Sequence, residues 1–401
     1  MQPNSQLWGD CHTHSTFSDG LFPVEEMTRC YESFGLDFRI QSDHLIVLVP
    51  WGRPAGKWLH AARWPEYCAA CLRASTSRHL CVPGVELGWE ESSEVQSEGW
   101  FHTKLLPASG RPFPDESFFA RVSYLAMLSK AKAAGCRPLI AHIDQGAPLG
   151  RLSGAEVCGL EVRGDIEETR PLVGRPSLKH WDRMLTAGHR VSLSSGSDSH
   201  QPDLWAGSGL RTVLLDTPCE AEAIAAAVAA GRSYLSGTWH PDCYAAAGWP
   251  AHPNRVAGGL THFTPWWEFK EYEEFRGRPP REFVLELFAA ALRNGRCSRA
   301  DYPVLSDFSV DGSGCGQQAA ADAKCQVHAA WRVHLPPSLV RVIADGVPVL
   351  QSQLTSETGE GCLQEALDLC GKHYVRLEIE AADPADPAKR ESLLSNPVYI
   401  V

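Results

Sequence analysis

The chain has 401 residues, long for one ordinary domain, so two are expected. Apolar residues make up 44% and charged residues 21%, which excludes a wholly disordered, collagen-like or coiled-coil protein. Thirty-seven basic against 48 acidic residues leave a formal charge of −11, so no binding to duplex nucleic acid is expected.

Fourteen cysteines in a chain of this length are too sparse for a disulfide-stapled secreted scaffold. The opening MQPNSQLWGD has neither a basic n-region nor an apolar h-region. No apolar run is long enough to span a bilayer, and the Ala-rich stretch at 220–231 reads as a soluble helix. A cytoplasmic protein with reduced cysteines and no membrane association is expected.

In chain order, LWGDCHTHS reads as a strand running into a loop, followed by the helix PVEEMTRCYESFG between Pro23 and Gly35. DFRIQSDH is the next strand. A Trp/Arg-rich loop, PWGRPAGKW, and a helical stretch to about Ser77 come after it. HLCVPGVEL and GWFHTKLLP are strands around an acidic loop, and Asp115 caps a helix reaching about Ala134. RPLIAHIDQG, VCGLEVRG, the helix PSLKHWDRMLTAG, RVSLSSGSDSH, LRTVLLD and the helix CEAEAIAAAVAAG continue the alternation. Such strand–helix repetition predicts a largely parallel sheet or barrel with helices outside. From about 238 a Trp/Pro/Gly-rich connecting segment is expected, with one helix, REFVLELFAAALRNG. Beyond Tyr302, short alternating strands and the Asp345-Gly346 turn predict a small β-sandwich. The expected division is 1–237, 238–301 and 302–401.

The chemistry is expected at the strand ends. His12 and His14 lie in CHTH, Asp19 in STFSDG, His44 in QSDH and Glu86 in PGVE. His102 lies in WFHTK, His142 in IAHID, and Asp198 and His200 in SDSH. All nine are of types that bind borderline divalent metals. With 16 His in the chain, about 0.6 His-x-His pairs arise by chance, so the CHTH pair alone decides nothing. The set decides more, because the carboxyl ends of parallel barrel strands converge on one face. On a strand, His-x-His also sends both imidazoles to one side.

In order and spacing over residues 5–237, GDCHTHSTFSDG, SDH, PGVE, His102, the AH pair at 141–142 and SDSH resemble the polymerase-and-histidinol-phosphatase (PHP) domain. LKHWDRMLTAGHRVSLSSGSDSH, AAGRSYLSG and the terminal SNPVYIV resemble its CehA/McbA-type metallohydrolases. The resemblance implies a distorted (β/α)7 barrel holding two to three divalent ions (Zn, Mn or Fe). His12, His14, Glu86 and Asp198 would hold one ion. Glu86 would bridge to a second on His102 and His142, and Asp19, His44 and His200 would hold the third.

Clustered cations activate water, so no serine or cysteine nucleophile is needed. Asp198, Glu86 and His200 are the expected catalytic groups. Asp144 is added as an extra carboxylate where the family often has proline. Arg53, Lys57, Lys104 and Arg163 are candidates for binding a substrate anion, and Asp10 and Asp43 for orienting imidazoles. Cys68 and Cys71 read as buried structural residues. Trp51, Trp58 and Trp64 read as pocket cover or helix packing, and Trp266-Trp267 as an inter-domain joint. The expected activity is hydrolysis of a small phosphomonoester or phosphodiester. Carbamate, amide or ester hydrolysis at the same site is the first alternative, and a non-catalytic metal-containing binding protein the second.

Overall fold

A computed structural model of the chain describes residues 5–20, 22–45, 59–89, 101–108, 123–143, 149–152, 154–163, 175–200, 209–239, 299–320, 324–352, 359–386 and 389–401. The segment 240–298, with the helix expected at REFVLELFAAALRNG and the Trp266-Trp267 pair, lies outside them. So do Trp51, Trp58, Asp115 and Gly146.

The first strand, β1 (Gln6–Thr13), is buried from Trp8 onward. Helix α1 (Val24–Ser33) follows Pro23, and Glu25 and Glu26 in its first turn complement the helix dipole. Gly35, just past its end, has φ 78°, a conformation that favours glycine. Four strands come next: β2 (Phe38–Gln41), β3 (Leu80–Pro83), β4 (Val85–Trp89) and β5 (Phe101–Pro107). Helix α2 (Trp64–Ala74) precedes β3 and carries Cys68 and Cys71, both free thiols, while Trp64 packs on Tyr67 with ring centroids 5.5 Å apart. After α3 (Tyr124–Ala133) come β6 (Cys136–Ile140), β7 (Gly159–Arg163), α4 (Pro176–Thr186) and β8 (Ser192–Gly196). Strand β9 (Gly209–Leu215), α5 (Ala221–Ala230) and β10 (Ser233–Trp239) close this half.

The expected (β/α)7 barrel is not what these strands build. They divide between two curled sheets, one of five strands in the order β4-β5-β6-β7-β8 and one of eleven in which β10-β9-β1-β2-β3 run in sequence. Many neighbours are antiparallel: β4 with β5, β5 with β6, β1 with β9, and β9 with β10. Among the described residues there are five α-helices, too few for strict alternation. The stretch HLCVPGVEL, expected as one strand, parts at Gly84 between two sheets. A Cβ at Gly84 would sit 2.9 Å from Leu106 Cδ2 and 3.3 Å from Ile40 Cγ2, so a larger residue there would have to displace the Leu106 side chain.

Isolated backbone bonds cross between the sheets. Asp198 N donates to His12 O at 3.0 Å and His14 N to Ser199 O at 2.8 Å; Glu86 N donates to Asp43 O at 3.1 Å. The ends of β1, β2, β4 and β8 are thereby held at one place.

The C-terminal strands also depart from expectation, because they do not stand apart as a sandwich. Strands β13 (Gln318–Ala319), β18 (Tyr374–Ala382), β19 (Arg390–Ser395) and β20 (Val398–Ile400) continue the eleven-stranded sheet. Strand β19 pairs with β10. The hairpin β15 (Pro337–Ala344) and β16 (Val347–Ser352) joins through β18. Its turn residues Asp345 and Gly346 have φ 51° and 74°, the positive values a tight hairpin turn requires. Strands β12 (Ser313–Gly314), β11 (Val304–Val310), β14 (Cys325–Arg332) and β17 (Glu360–Leu367) form a separate sheet. One apolar cluster joins both halves, running from Trp8, Tyr31 and Tyr234 to Leu305, Trp331, Leu377 and Leu393.

Polar contacts add to this joint. Buried Asn396 accepts from Leu193 N at 2.7 Å and donates to Leu193 O at 2.8 Å and to Ser233 Oγ at 2.9 Å. Arg376 grips Asp182 of α4 through Nε and Nη2, both at 3.0 Å. Asn396→Ala leaves the Leu193 amide and carbonyl unpaired in the interior, so it should destabilise the fold by about 1–3 kcal/mol. Urea denaturation checks this, the midpoint falling at unchanged slope.

Candidate metal centre

The side chains at the meeting point of the two sheets form one dense group. Around Glu86, at the start of β4, five imidazoles converge. Oε2 lies 3.1 Å from His12 Nε2, 3.3 Å from His14 Nε2 and 3.3 Å from His44 Nδ1; Oε1 lies 2.8 Å from His102 Nδ1 and 3.3 Å from His142 Nε2. Asp198 faces His14 at 3.0 Å, His12 at 3.5 Å and His142 at 3.6 Å. Asp19 reaches His200 at 3.3 Å and His44 at 3.6 Å. All nine residues expected as ligands are thus brought together.

The donors lie so close together that several sets of them overlap. His12, Glu86, His142 and Asp198 form one set, His14, Asp19, His44 and His200 another, and His44, Glu86 and His102 a third. Within each set, one donor atom from every residue lies within 4.8 Å of the others. The site opens on one side. His12, His14 and Glu86 have wholly buried side chains, whereas His200, His102 and Asp19 are 20%, 27% and 35% exposed.

Two of these residues occupy a backbone region that L-residues seldom adopt. His142 has φ 45° and Asp198 φ 57°, and the surrounding hydrogen bonds must hold them there. Asp10 and Asp43 fix the loops and do not orient imidazoles. Asp10 accepts from His12 N and Ser197 N, both at 3.0 Å, tying β1 to the loop before Asp198. Asp43 accepts from Ser15 N and Oγ, from Ser18 N and Oγ, and from Gln41 Nε2, closing the turn after CHTH.

The residues expected to bind a substrate anion are placed differently. Lys104 is wholly buried, with its ammonium on Cys11 O at 2.7 Å and on the Glu161 carboxylate, so it meets no ligand directly. Arg163 ends β7. Arg53, Lys57 and Asp144 lie outside the described residues. Glu161, which sequence reasoning passed over, is buried on β7 and accepts from His12 Nδ1 at 2.8 Å. The signal for it is a lone acid inside the apolar strand of VCGLEVRG.

Burial and charge oppose one another across the site. Burial disfavours a charged His12, but Glu86 and Glu161 outweigh it and raise its pKa to about 9. Burial opposes charge on His14 as well, yet hydrogen bonds to Asp198 and Glu86, which accept, carry its pKa well above the ordinary value. At His44 and His142 burial wins and lowers the pKa to about 4. Burial also disfavours ionised Glu86 and Asp198, but the imidazoles, led by His12 for Glu86 and His142 for Asp198, hold both carboxyl groups well below the usual range.

The donors fit a cluster of divalent cations. His14 Nδ1 and His142 Nε2 are buried without a hydrogen bond. The ring nitrogens of His12 and His14 approach to 3.1 Å, and only a shared proton or a cation makes that contact favourable. Mixed imidazole and carboxylate donors suit zinc, manganese or iron.

No protein-family model matches the chain. No curated protein matches it either. Among solved structures, it resembles a two-domain protein from Bacteroides vulgatus described as containing a PHP-like metal-dependent phosphoesterase. Identity is 14% and the TM-score 0.41, over 100% of this chain and 96% of that one. A protein from Bifidobacterium adolescentis described as a metal-dependent phosphoesterase aligns at 17% identity and TM-score 0.32, over 50% of this chain and 89% of its own. An amidohydrolase from Chromobacterium violaceum, with bound sulfate and no metal, aligns at 17% and 0.32, over 49% and 89%. Likenesses this slight carry no weight for the chemistry; the side-chain geometry does.

The raised pKa values at His12 and His14 set the sign of a pH dependence. They add stability to the metal-free protein that is complete below about pH 6.5, the unfolded value, and for His12 is lost as pH rises through about 9. Metal needs neutral imidazoles, so its stabilisation grows over the same window. Scanning fluorimetry from pH 6.5 to 9 should show the metal-free Tm falling and the increment on adding zinc rising. A constant or shrinking increment would contradict this.

Proposed function

We propose that the chain is a metal-dependent phosphoesterase acting on a small phosphorylated substrate. One observation carries the reading: five imidazole nitrogens lie within 3.3 Å of a single buried carboxylate, Glu86. Such a carboxylate, with the imidazoles around it, would hold divalent cations. The resemblance of CHTH, SDH, PGVE and SDSH to the PHP domain supports it.

The ions would be held by His12, His14, Asp19, His44, Glu86, His102, His142, Asp198 and His200. Bound there, they would supply Lewis acidity, making water nucleophilic near neutral pH and neutralising a phosphoryl group. The chain's own groups set direction. His12, His14 and Glu86 form the closed floor, while Asp19, His102 and His200 line the open side. A substrate would therefore approach from the side of Asp19, His102 and His200. The Nδ1–H of His200 donates to Asp198 O at 2.9 Å, leaving Nε2 beside Asp19 at the mouth. There its Nε2 lone pair would serve as a donor to a cation, so the proton for the departing oxygen comes from water at the open side. Asp198, between His14 and His142, stays ionised and orients the attacking side.

Metal-reconstituted protein should hydrolyse p-nitrophenyl phosphate or its bis ester. His12→Ala and Asp198→Ala should each lower kcat at least about a hundredfold. Turnover of aryl carbamates, amides or esters with none on any phosphoester would move the activity to that class. Metal-loaded protein without hydrolysis of either kind would overturn the enzymatic reading.

A further inference from the structure

Behind His12 lies a buried pair of side chains, Lys104 and Glu161, that the proposed reaction does not use. Lys104 stands on β5 directly opposite Glu86 of β4, with its ammonium on Cys11 O and the Glu161 carboxylate. Glu161 stands on β7, and its other oxygen accepts from His12 Nδ1 at 2.8 Å. All three side chains are wholly buried. A carboxylate can only accept, so His12 carries its proton on Nδ1 and turns Nε2 toward Glu86, Asp198 and His14. Gly196 of β8 makes room for this contact: a Cβ there would lie 2.2 Å from His12 Cβ and 2.8 Å from Glu161 Oε2.

We propose that Glu161, pinned by Lys104, is a positioning residue that fixes the tautomer and ring orientation of His12, so that its Nε2 lone pair is delivered to the metal cluster. This rests on the metal-dependent reading above. The arrangement is selective in what it adds. Lys104 and Glu161 cancel in charge, so the pair orients His12 without changing the net charge around Glu86. Glu161 is not grouped with the cluster's own donors and meets them through His12. Removing Lys104 would leave Glu161 buried without its counter-charge and free to turn from His12.

The test is zinc stoichiometry and affinity of the full chain, measured by competition with a chromophoric chelator, together with the visible spectrum of the cobalt-loaded protein. Wild type should take two to three equivalents. In Glu161→Gln the amide can present N–H to His12 and favour the other tautomer, so at least one equivalent should bind about ten- to a hundredfold more weakly. The cobalt bands should shift with it. Glu161→Asp keeps the charge and the Lys104 contact but withdraws from His12; it should show the same loss and decides the matter if the Gln variant does not fold. Glu391→Gln, a buried carboxylate on β19 bonded to His334, controls for general destabilisation and should keep zinc affinity within twofold. Affinity within twofold of wild type in the Glu161 variants would overturn the positioning role. A wild type that binds no zinc, manganese or iron would overturn the metal reading and this role together.

Discussion

The structure turns on a single buried carboxylate. Glu86 is wholly removed from solvent, and five imidazole nitrogens crowd its two oxygens. Burying that many ionisable groups is costly unless their charges compensate one another. Imidazolium ions can do so only partly here, because burial keeps His44 and His142 neutral near pH 7. Divalent cations would satisfy the carboxylates and the imidazole lone pairs at once. Much of the backbone at this end of the fold serves that arrangement. The break at Gly84 aims β4 at the site, and the left-handed turns at His142 and Asp198 bring in their side chains.

Support for the site extends well beyond the donors. Asp10 ties β1 to the loop before Asp198, and Asp43 closes the turn that carries His14. The far end of β8 is held by Asn396 from the last segment of the chain. Arg376 on β18 clasps helix α4, which leads into β8. The C-terminal strands therefore brace the strand that delivers Asp198, and they share one core with β1 through Trp8 and Tyr234.

What could be read from the sequence follows from how local each signal is. His12 and His14 alternate on one strand, and a period of two places both on one side. The Asp345-Gly346 turn is equally local. Strand direction is not local, because it depends on which partner a strand meets. The stretch HLCVPGVEL therefore gave no sign that it would part between two sheets, or that β4 and β5 would run antiparallel. The regular strand–helix alternation suggested a parallel barrel for the same reason. Lys104 shows the limit for side chains. Two residues beyond His102, it reads as a cation on the site's face, yet a buried acid on another strand, Glu161, holds it in the interior.

The account stands or falls on cations at Glu86. Anomalous diffraction at the absorption edge of zinc or manganese, from crystals of the metal-loaded chain, tests it most directly. The account predicts two or three peaks within about 2.0–2.2 Å of the imidazole and carboxylate donors, two of them sharing Glu86. Imidazoles and carboxylates bonded only to one another and to water, with no peak among them, would contradict it.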